Sequence, residues 1–464
     1  MESAELLIAN GLVVTMDSTR RIIANGAVAV AGSRILEVGK AETLRQKYQS
    51  ARIVEAGGMM VLPGFIDGHN HPAHFLTKGL LDDIGYARRW ATRLYPFDVS
   101  VNDEQSYWGS LGTFAEMIQS GTTCVADPGS YQPEATLRAA ARIGIRACVT
   151  RSTRDVSDPV RPTPDDLTPS AEAAVRLTDA LFKEWHGAEN GRIRIWYGLR
   201  TALNVSDELC RLVKRRADRE GVGIHMHLAI TANENKEVVK RWGLRPIERL
   251  NRLGLLDRNL YAVHMGAIDD EEVSLVAERG VKICHCASAS MLGGFGCIAH
   301  GKFLELANAG CTLAMGTDAA AISRFLDMTR EMYLVAAAHK DVAIDAEVFG
   351  AHRAMEMATI EGARALLWDE EIGSLEPGKR ADIVLVRMDG LEWYPRPLLN
   401  PVANLVYSSS GQAVDTVLID GRIVMAGRRL TTIDEDELKS ESARMAAAAA
   451  MAAGIPEESR WPVQ

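Results

Sequence analysis

The stretch Pro63-Gly64-Phe65-Ile66-Asp67-Gly68-His69-Asn70-His71 decides how the rest of the chain is read. A short apolar run that starts near Met59 ends here in His-x-His. Alternate side chains of an extended strand point to one side, so His69 and His71 can both reach into one cavity and offer two imidazoles. Taken alone, this pattern also suits surface or structural histidines. Its weight comes from three further runs that end in the same kind of residue. His227 closes Gly223-Ile224-His225-Met226-His227, His264 closes Tyr261-Ala262-Val263-His264, and Asp318 closes Leu313-Ala314-Met315-Gly316-Thr317-Asp318.

Outward from these runs, the middle of the chain alternates. Arg146–Thr150, Ile193–Tyr197, Val222–His227, Leu260–His264, Val281–Cys284 and Thr312–Gly316 read as buried strands. Segments with helical period, such as Asp207–Arg219 and Asp270–Glu278, lie between them. Strand–helix alternation over about 300 residues gives a parallel sheet, open or closed into a barrel. In a β/α barrel the C-terminal strand ends converge on one site. Several neutral imidazoles and one carboxylate gathered there suit a borderline divalent ion: zinc, cobalt, manganese or iron.

Both ends of the chain are β-rich. Leu6–Ala9, Leu12–Thr15, Ala27–Val30 and Ile35–Val38 are short β-prone runs, and the Asn-Gly pairs at 10–11 and 25–26 read as turns between them. Asp382–Val386 is a strand, and Thr416–Val424 is a hairpin around Asp420-Gly421. The expected architecture is a catalytic (β/α) barrel over 63–368, with 1–62 and 369–464 forming a composite small β-domain. Residues 433–452 end in an Ala-rich helix with a packing role. Asp155–Pro169 is rich in Pro and Asp and reads as a surface loop near the mouth of the site.

Bulk properties narrow the classes. The chain has 464 residues, 47% of them hydrophobic and 24% charged, and a formal charge of −9. That balance speaks against nucleic acid or an anionic membrane surface as partner. Seven cysteines without regular spacing do not form a disulfide framework and read as buried thiols. The N-terminus lacks a basic leader, and no stretch approaches the roughly 18 apolar residues of a membrane helix. A cytoplasmic enzyme with a small-molecule substrate is expected.

The blocks PGFIDGHNHPAHFLTKGLLDD, AEMIQSGTTCVAD, HLAITANE, VHMG, AMGTD, GSLEPGKRADIVLV, NPVANLVYSSSG and VLIDGRIVMAGR together resemble the amidohydrolase superfamily, in the branch of chlorotriazine hydrolases and aminohydrolases. The resemblance covers nearly the whole chain. It implies an α/β fold, a metal-dependent (β/α)8 TIM-like barrel carrying a β-sandwich domain built from both termini. It implies His69, His71, His227 and Asp318 as ligands of one divalent transition metal ion. His264 is implied as a further ligand, or as the group that contacts the reacting water or the substrate oxygen. Asp318 and His264 are the implied catalytic pair. No lysine stands at the strand end Ile195–Arg200 to bridge a second ion. Relatives of this kind are commonly dimers or larger, which implies a homo-oligomer.

The chain also departs from that branch. Its fifth-strand block usually reads His-Leu-Ala-Glu, with the glutamate shuttling a proton to the substrate nitrogen. Here it reads His227-Leu228-Ala229-Ile230. Glu234 follows two turns later and reads as a helix-face residue. His285–Ser290 and Ala319–Arg324 also lack the branch's usual Ser-Asn elements. Loss of the obvious acid suits a small hydrophobic carbonyl substrate. On that ground the chain looks most like the thiocarbamate (molinate) and phenylurea hydrolases, cleaving a C–S or C–N bond. The alternative is a deaminase or dechlorinase of a triazine or purine-like ring. His74, Trp90, His285 and His300 are candidate substrate contacts, and Phe75, Trp90, Tyr95 and Phe97 are candidates for an apolar wall.

Overall fold

The computed structural model describes residues 2–157, 167–396, 399–455 and 461, with the backbone alone at Tyr86, Ala87 and Trp90. Most of Asp155–Pro169 therefore lies outside the described residues, as does the Trp90 side chain.

Eight parallel strand positions close into a barrel. In chain order they are Phe65–Asp67, Thr122–Ser130, Arg146–Arg151, a split fourth strand (Ile193–Ile195 and Tyr197–Thr201), Ile224–Leu228, Leu260–His264, Lys282–His285 and Leu313–Met315. The fourth strand breaks at Trp196: its first half pairs with the third strand and its second half with the fifth. Gly68 N–H donates to Met315 O at 2.9 Å and Asp318 N–H to His69 O at 2.7 Å, which joins the eighth strand to the first. The strands are almost wholly buried and rich in Val, Ile, Ala and Cys, as parallel strands covered on both faces require.

The intervening helices start and stop where the sequence says. Asp207–Glu220 is capped by the Ser206 side chain and ends at Gly221 with φ 68°. Asp270–Arg279 opens with a reciprocal Asp269/Glu272 capping box.

The terminal segments form one nine-stranded sheet. Its order places Ile383–Arg387 from the C-terminal part against Met59–Pro63 from the N-terminal part. The sheet curls on itself. Arg34 and Arg380 form a bridge, and Leu6, Val28, Ile35, Val61, Ile383 and Leu418 share one small core. The sandwich-like domain is thus continuous in its hydrogen bonding.

Two expectations change here. Asn10-Gly11 and Asn25-Gly26 are not turns. They lie inside the long strands Glu2–Val14 and Ile22–Ala31, where Gly11 faces Gly26 across a register shift. Asn10 and Asn25 take φ of 68° and 50°, so the pairs serve as bulges that bend the sheet. Asp420-Gly421 does form the expected tight hairpin, with positive φ at both residues. The second change concerns the helix Glu435–Ala452. Met445 and Ala449 pack with Leu76, Phe97 and Val101, residues that follow the first barrel strand, so this helix leans on the barrel.

A buried ion pair joins the two units. Arg146 of the third barrel strand donates through Nε to Asp382 Oδ2 at 2.8 Å and through Nη2 to Oδ1 at 3.0 Å. All seven cysteines are free and buried. Among the described residues no helix is long and apolar enough to cross a membrane.

Candidate metal centre

His69, His71, His227, His264 and Asp318 meet at the C-terminal end of the barrel. The donor atoms of His69, His71 and His227 lie within 4.8 Å of one another, as do those of His69, His264 and Asp318. His69 Nε2 and His71 Nε2 each stand 3.7 Å from Asp318 Oδ1, and His264 Nε2 stands 4.0 Å from Oδ2. His71 Nε2 lies 3.2 Å from His227 Nε2.

Two observations test whether these residues suit a cation. His69 Nε2 is buried with no hydrogen-bond partner, although it points into a ring of donors. Burial and the neighbouring imidazoles hold His69, His71 and His227 well below the ordinary histidine range, with Arg200 adding to the effect at His71 and His227, and burial with Arg200 takes His264 to about 3. Neutral imidazoles are the form that binds metal. The donor set therefore fits one divalent ion.

Local backbone geometry aims the donors. Ala229, His264 and Asp318 take φ of 49°, 78° and 65° at the ends of the fifth, sixth and eighth strands. Non-glycine residues rarely adopt this region, and it costs of order 1–3 kcal/mol where the surroundings impose it. The chain turns sharply at each of these points.

Residues behind the donors hold them. Asp67 Oδ1 accepts from the N–H of His69 at 3.2 Å and of Thr317 at 3.0 Å, and Oδ2 accepts from the Thr317 hydroxyl. This carboxyl ties the first strand end to the eighth. His227 Nδ1 lies 3.1 Å from Arg200 O. His225 Nε2 lies 2.9 Å from His69 Nδ1. Such contacts fix tautomer and ring orientation. His225 was not singled out from the sequence, although it makes a second His-x-His with His227 inside the fifth strand.

The cluster opens on a cavity of about 550 Å³ bordered by His74, Tyr95, Arg200, Ile230, Glu234 and Phe295, among others. His74 borders the cavity. Its Nε2 contacts Asp98 Oδ1 at 2.7 Å and its ring stacks on His71. His285 does not line the cavity. It is fully buried, stacks on Phe303, and pairs through Nε2 with His339 Nε2 at 3.0 Å. His300 is exposed on the short helix Cys297–His300 and also lies away from the lining. Of the aromatic candidates, Tyr95 borders the cavity, while Phe97 packs against the C-terminal helix and Phe75 against Gly112.

Glu234 departs from its expected place on a helix face. Thr231 caps the helix Ala232–Trp242, and Glu234 in its first turn folds back. Its Oε2 accepts from Ile230 N–H at 2.9 Å, while Oε1 is buried with no partner. Burial raises this carboxyl to about 7.

Residues 60–424 match the model of the amidohydrolase family. The chain belongs to this family. A further model, an imidazolonepropionase-like bacterial composite domain, matches residues 26–48 of the terminal sheet. The amidohydrolase is 34% identical over 420 residues to a 5-methylthioadenosine/S-adenosylhomocysteine deaminase of Moorella thermoacetica, covering 90% of this chain and 94% of that one. It is 34% identical to the protein of the same name from Syntrophobacter fumaroxidans, over 94% and 96% of the two chains. A zinc-bound adenosine deaminase from Xanthomonas campestris superposes with a TM-score of 0.90 at 29% identity, over 97% and 99%. A zinc-bound atrazine chlorohydrolase from Arthrobacter aurescens shares the fold, with a TM-score of 0.86 at 23% identity over 95% and 100%. The expected likeness to thiocarbamate and phenylurea hydrolases draws no support from these relatives. The amidohydrolase is a metal-dependent hydrolase whose donor set takes one divalent ion.

Proposed function

We propose that the chain is a metal-dependent deaminase that replaces an exocyclic amino group of a purine-like heterocycle with oxygen. The observation that carries this reading is the joint presence of a complete donor set and an adjoining cavity of about 550 Å³, in a chain that aligns nearly end to end with deaminases. A cavity of that volume suits a nucleoside-sized ligand.

His69, His71, His227 and Asp318 would hold the ion, with His264 as a further ligand or a contact to the substrate oxygen. When bound, the ion supplies Lewis acidity toward water at neutral pH. Asp318 has a carboxylate at the centre of the cluster and accepts the proton of the attacking water. His264 is buried and neutral, and it stabilises charge on the incoming oxygen. Asp318 then returns its proton to the departing nitrogen. Arg200 and His74 border the same space and orient the substrate.

A second reading, C–S or C–N cleavage of a hydrophobic thiocarbamate or phenylurea, is favoured by Ile230 on the cavity wall. Its premise was a wall without an acid, and the inward fold of Glu234 weakens that premise. The test is a product panel on purified, zinc-loaded protein. Ammonia release from methylthioadenosine, S-adenosylhomocysteine, adenosine or an aminotriazine is the expected result. Thiol or aniline release without ammonia would overturn the deaminase reading in favour of the second.

A further inference from the structure

Resting on that deaminase reading, we infer that Glu234 is the proton shuttle of the reaction, taking from the first turn of its helix the role that Ile230 cannot perform on the fifth strand. Deamination needs an acid for the ring nitrogen and a route for a second proton. Asp318 handles one proton only. Of the other carboxyls bordering the cavity, Glu237 is half-exposed and faces Lys240 at 3.8 Å.

Glu234 differs from Glu237 in three respects. Its Oε2 is anchored on the Ile230 amide, so the carboxyl sits beside the residue that occupies the usual acid position. Its Oε1 is buried and unpartnered. A buried polar atom without a partner is costly, and a bound ligand that supplies one removes that cost. Finally, burial raises the carboxyl to about 7, so both protonation states are accessible near neutrality.

The proton count closes. The protonated carboxyl of Glu234 donates to the ring nitrogen as the water oxygen bonds to the amino-bearing carbon and Asp318 takes one water proton. The remaining hydroxyl proton of the tetrahedral adduct returns to Glu234. Asp318 protonates the amino group, the C–N bond breaks, and ammonia leaves. The product keeps the ring N–H and a carbonyl, and both carboxyls regain their starting states.

The test is Glu234→Gln in the full, zinc-loaded chain. Glutamine keeps an oxygen for the Ile230 N–H but donates no acidic proton, so a purely structural role would survive the change. We expect kcat to fall roughly 10²–10³-fold with KM within about threefold, and with zinc content and melting temperature unchanged. Wild-type kcat should fall as pH rises through about 7, because the acid must be protonated, and the variant should lose that limb. Infrared spectra of Glu234→Gln should lack one protonated carboxyl component that titrates through about 7 in the wild type, while the bands of other buried carboxyls such as Glu331 persist. Adding Ile230→Glu to Glu234→Gln should restore at least tenfold. If Glu234→Gln retains wild-type kcat and its alkaline limb, the assignment is wrong while the deaminase reading stands. If the wild type releases no ammonia from any heterocycle, both fall.

Discussion

His225 Nε2 approaches His69 Nδ1 to 2.9 Å, although 156 positions separate the two residues in the chain. This contact leaves His69 Nε2 as the ring atom directed at the donor cluster. His225→Ala should lower zinc affinity roughly 10–100-fold. Competition with a chromogenic chelator measures this directly. Activity should return in large part at saturating zinc, and an unchanged affinity would mean that His69 is oriented without His225.

Gly316 marks a close approach of the eighth strand to the first. A Cβ there would stand 2.6 Å from His69 N and 2.8 Å from His69 O, both backbone atoms that cannot move aside. Gly316→Ala should displace the His-x-His segment, at a cost of about 1–3 kcal/mol in stability. Bound zinc per chain, measured by atomic emission, should fall together with the melting temperature.

The Arg146–Asp382 pair is buried on both sides. Removing one partner leaves an uncompensated charge, with a typical cost of about 3–5 kcal/mol. Asp420 Oδ1, 3.5 Å from Arg146 Nη2, offsets part of that loss. Asp382→Ala should therefore cost more than Asp420→Ala in urea denaturation. It should also loosen the terminal sheet first, which proteolysis near Ile383–Arg387 would report.

Glu331 gives a pH signature for stability. Its Oε1 accepts from Ser288 N–H at 3.1 Å, its Oε2 is buried without a partner, and burial raises it from 4.5 to about 8. Below the unfolded value both states carry the proton and nothing is lost. As pH rises from 4.5 to 8, the unfolded chain ionises while the folded one does not, so stability falls until the folded carboxyl ionises. At about 1.4 kcal/mol per unit the ceiling is a few kcal/mol. Glu331→Gln keeps the acceptor and removes the titration. Relative to this variant, the wild type should lose about 2–4 kcal/mol between pH 5 and pH 8, read from denaturation curves at each pH.

The barrel and its donors were legible because their signals are local. Apolar runs ending in His or Asp announce strand ends, and barrel geometry brings strand ends together. What failed depends on distant neighbours. The Asn10-Gly11 and Asn25-Gly26 pairs suit any positive-φ site, and only their pairing across two long strands makes them bulges. His285 ends the seventh strand much as His264 ends the sixth, but it turns toward His339, 54 positions later. Glu234 has helical spacing from its neighbours. Its reach back to Ile230 follows from Thr231 starting the helix where it does.

The helix Glu435–Ala452 braces the segment that carries Leu94, Tyr95 and Phe97, and the first two of these border the cavity. One side of the cavity is thus braced from behind by a helix that follows every metal donor in the chain. A substitution in this tail acts on that wall and on the Leu76 segment that follows His71.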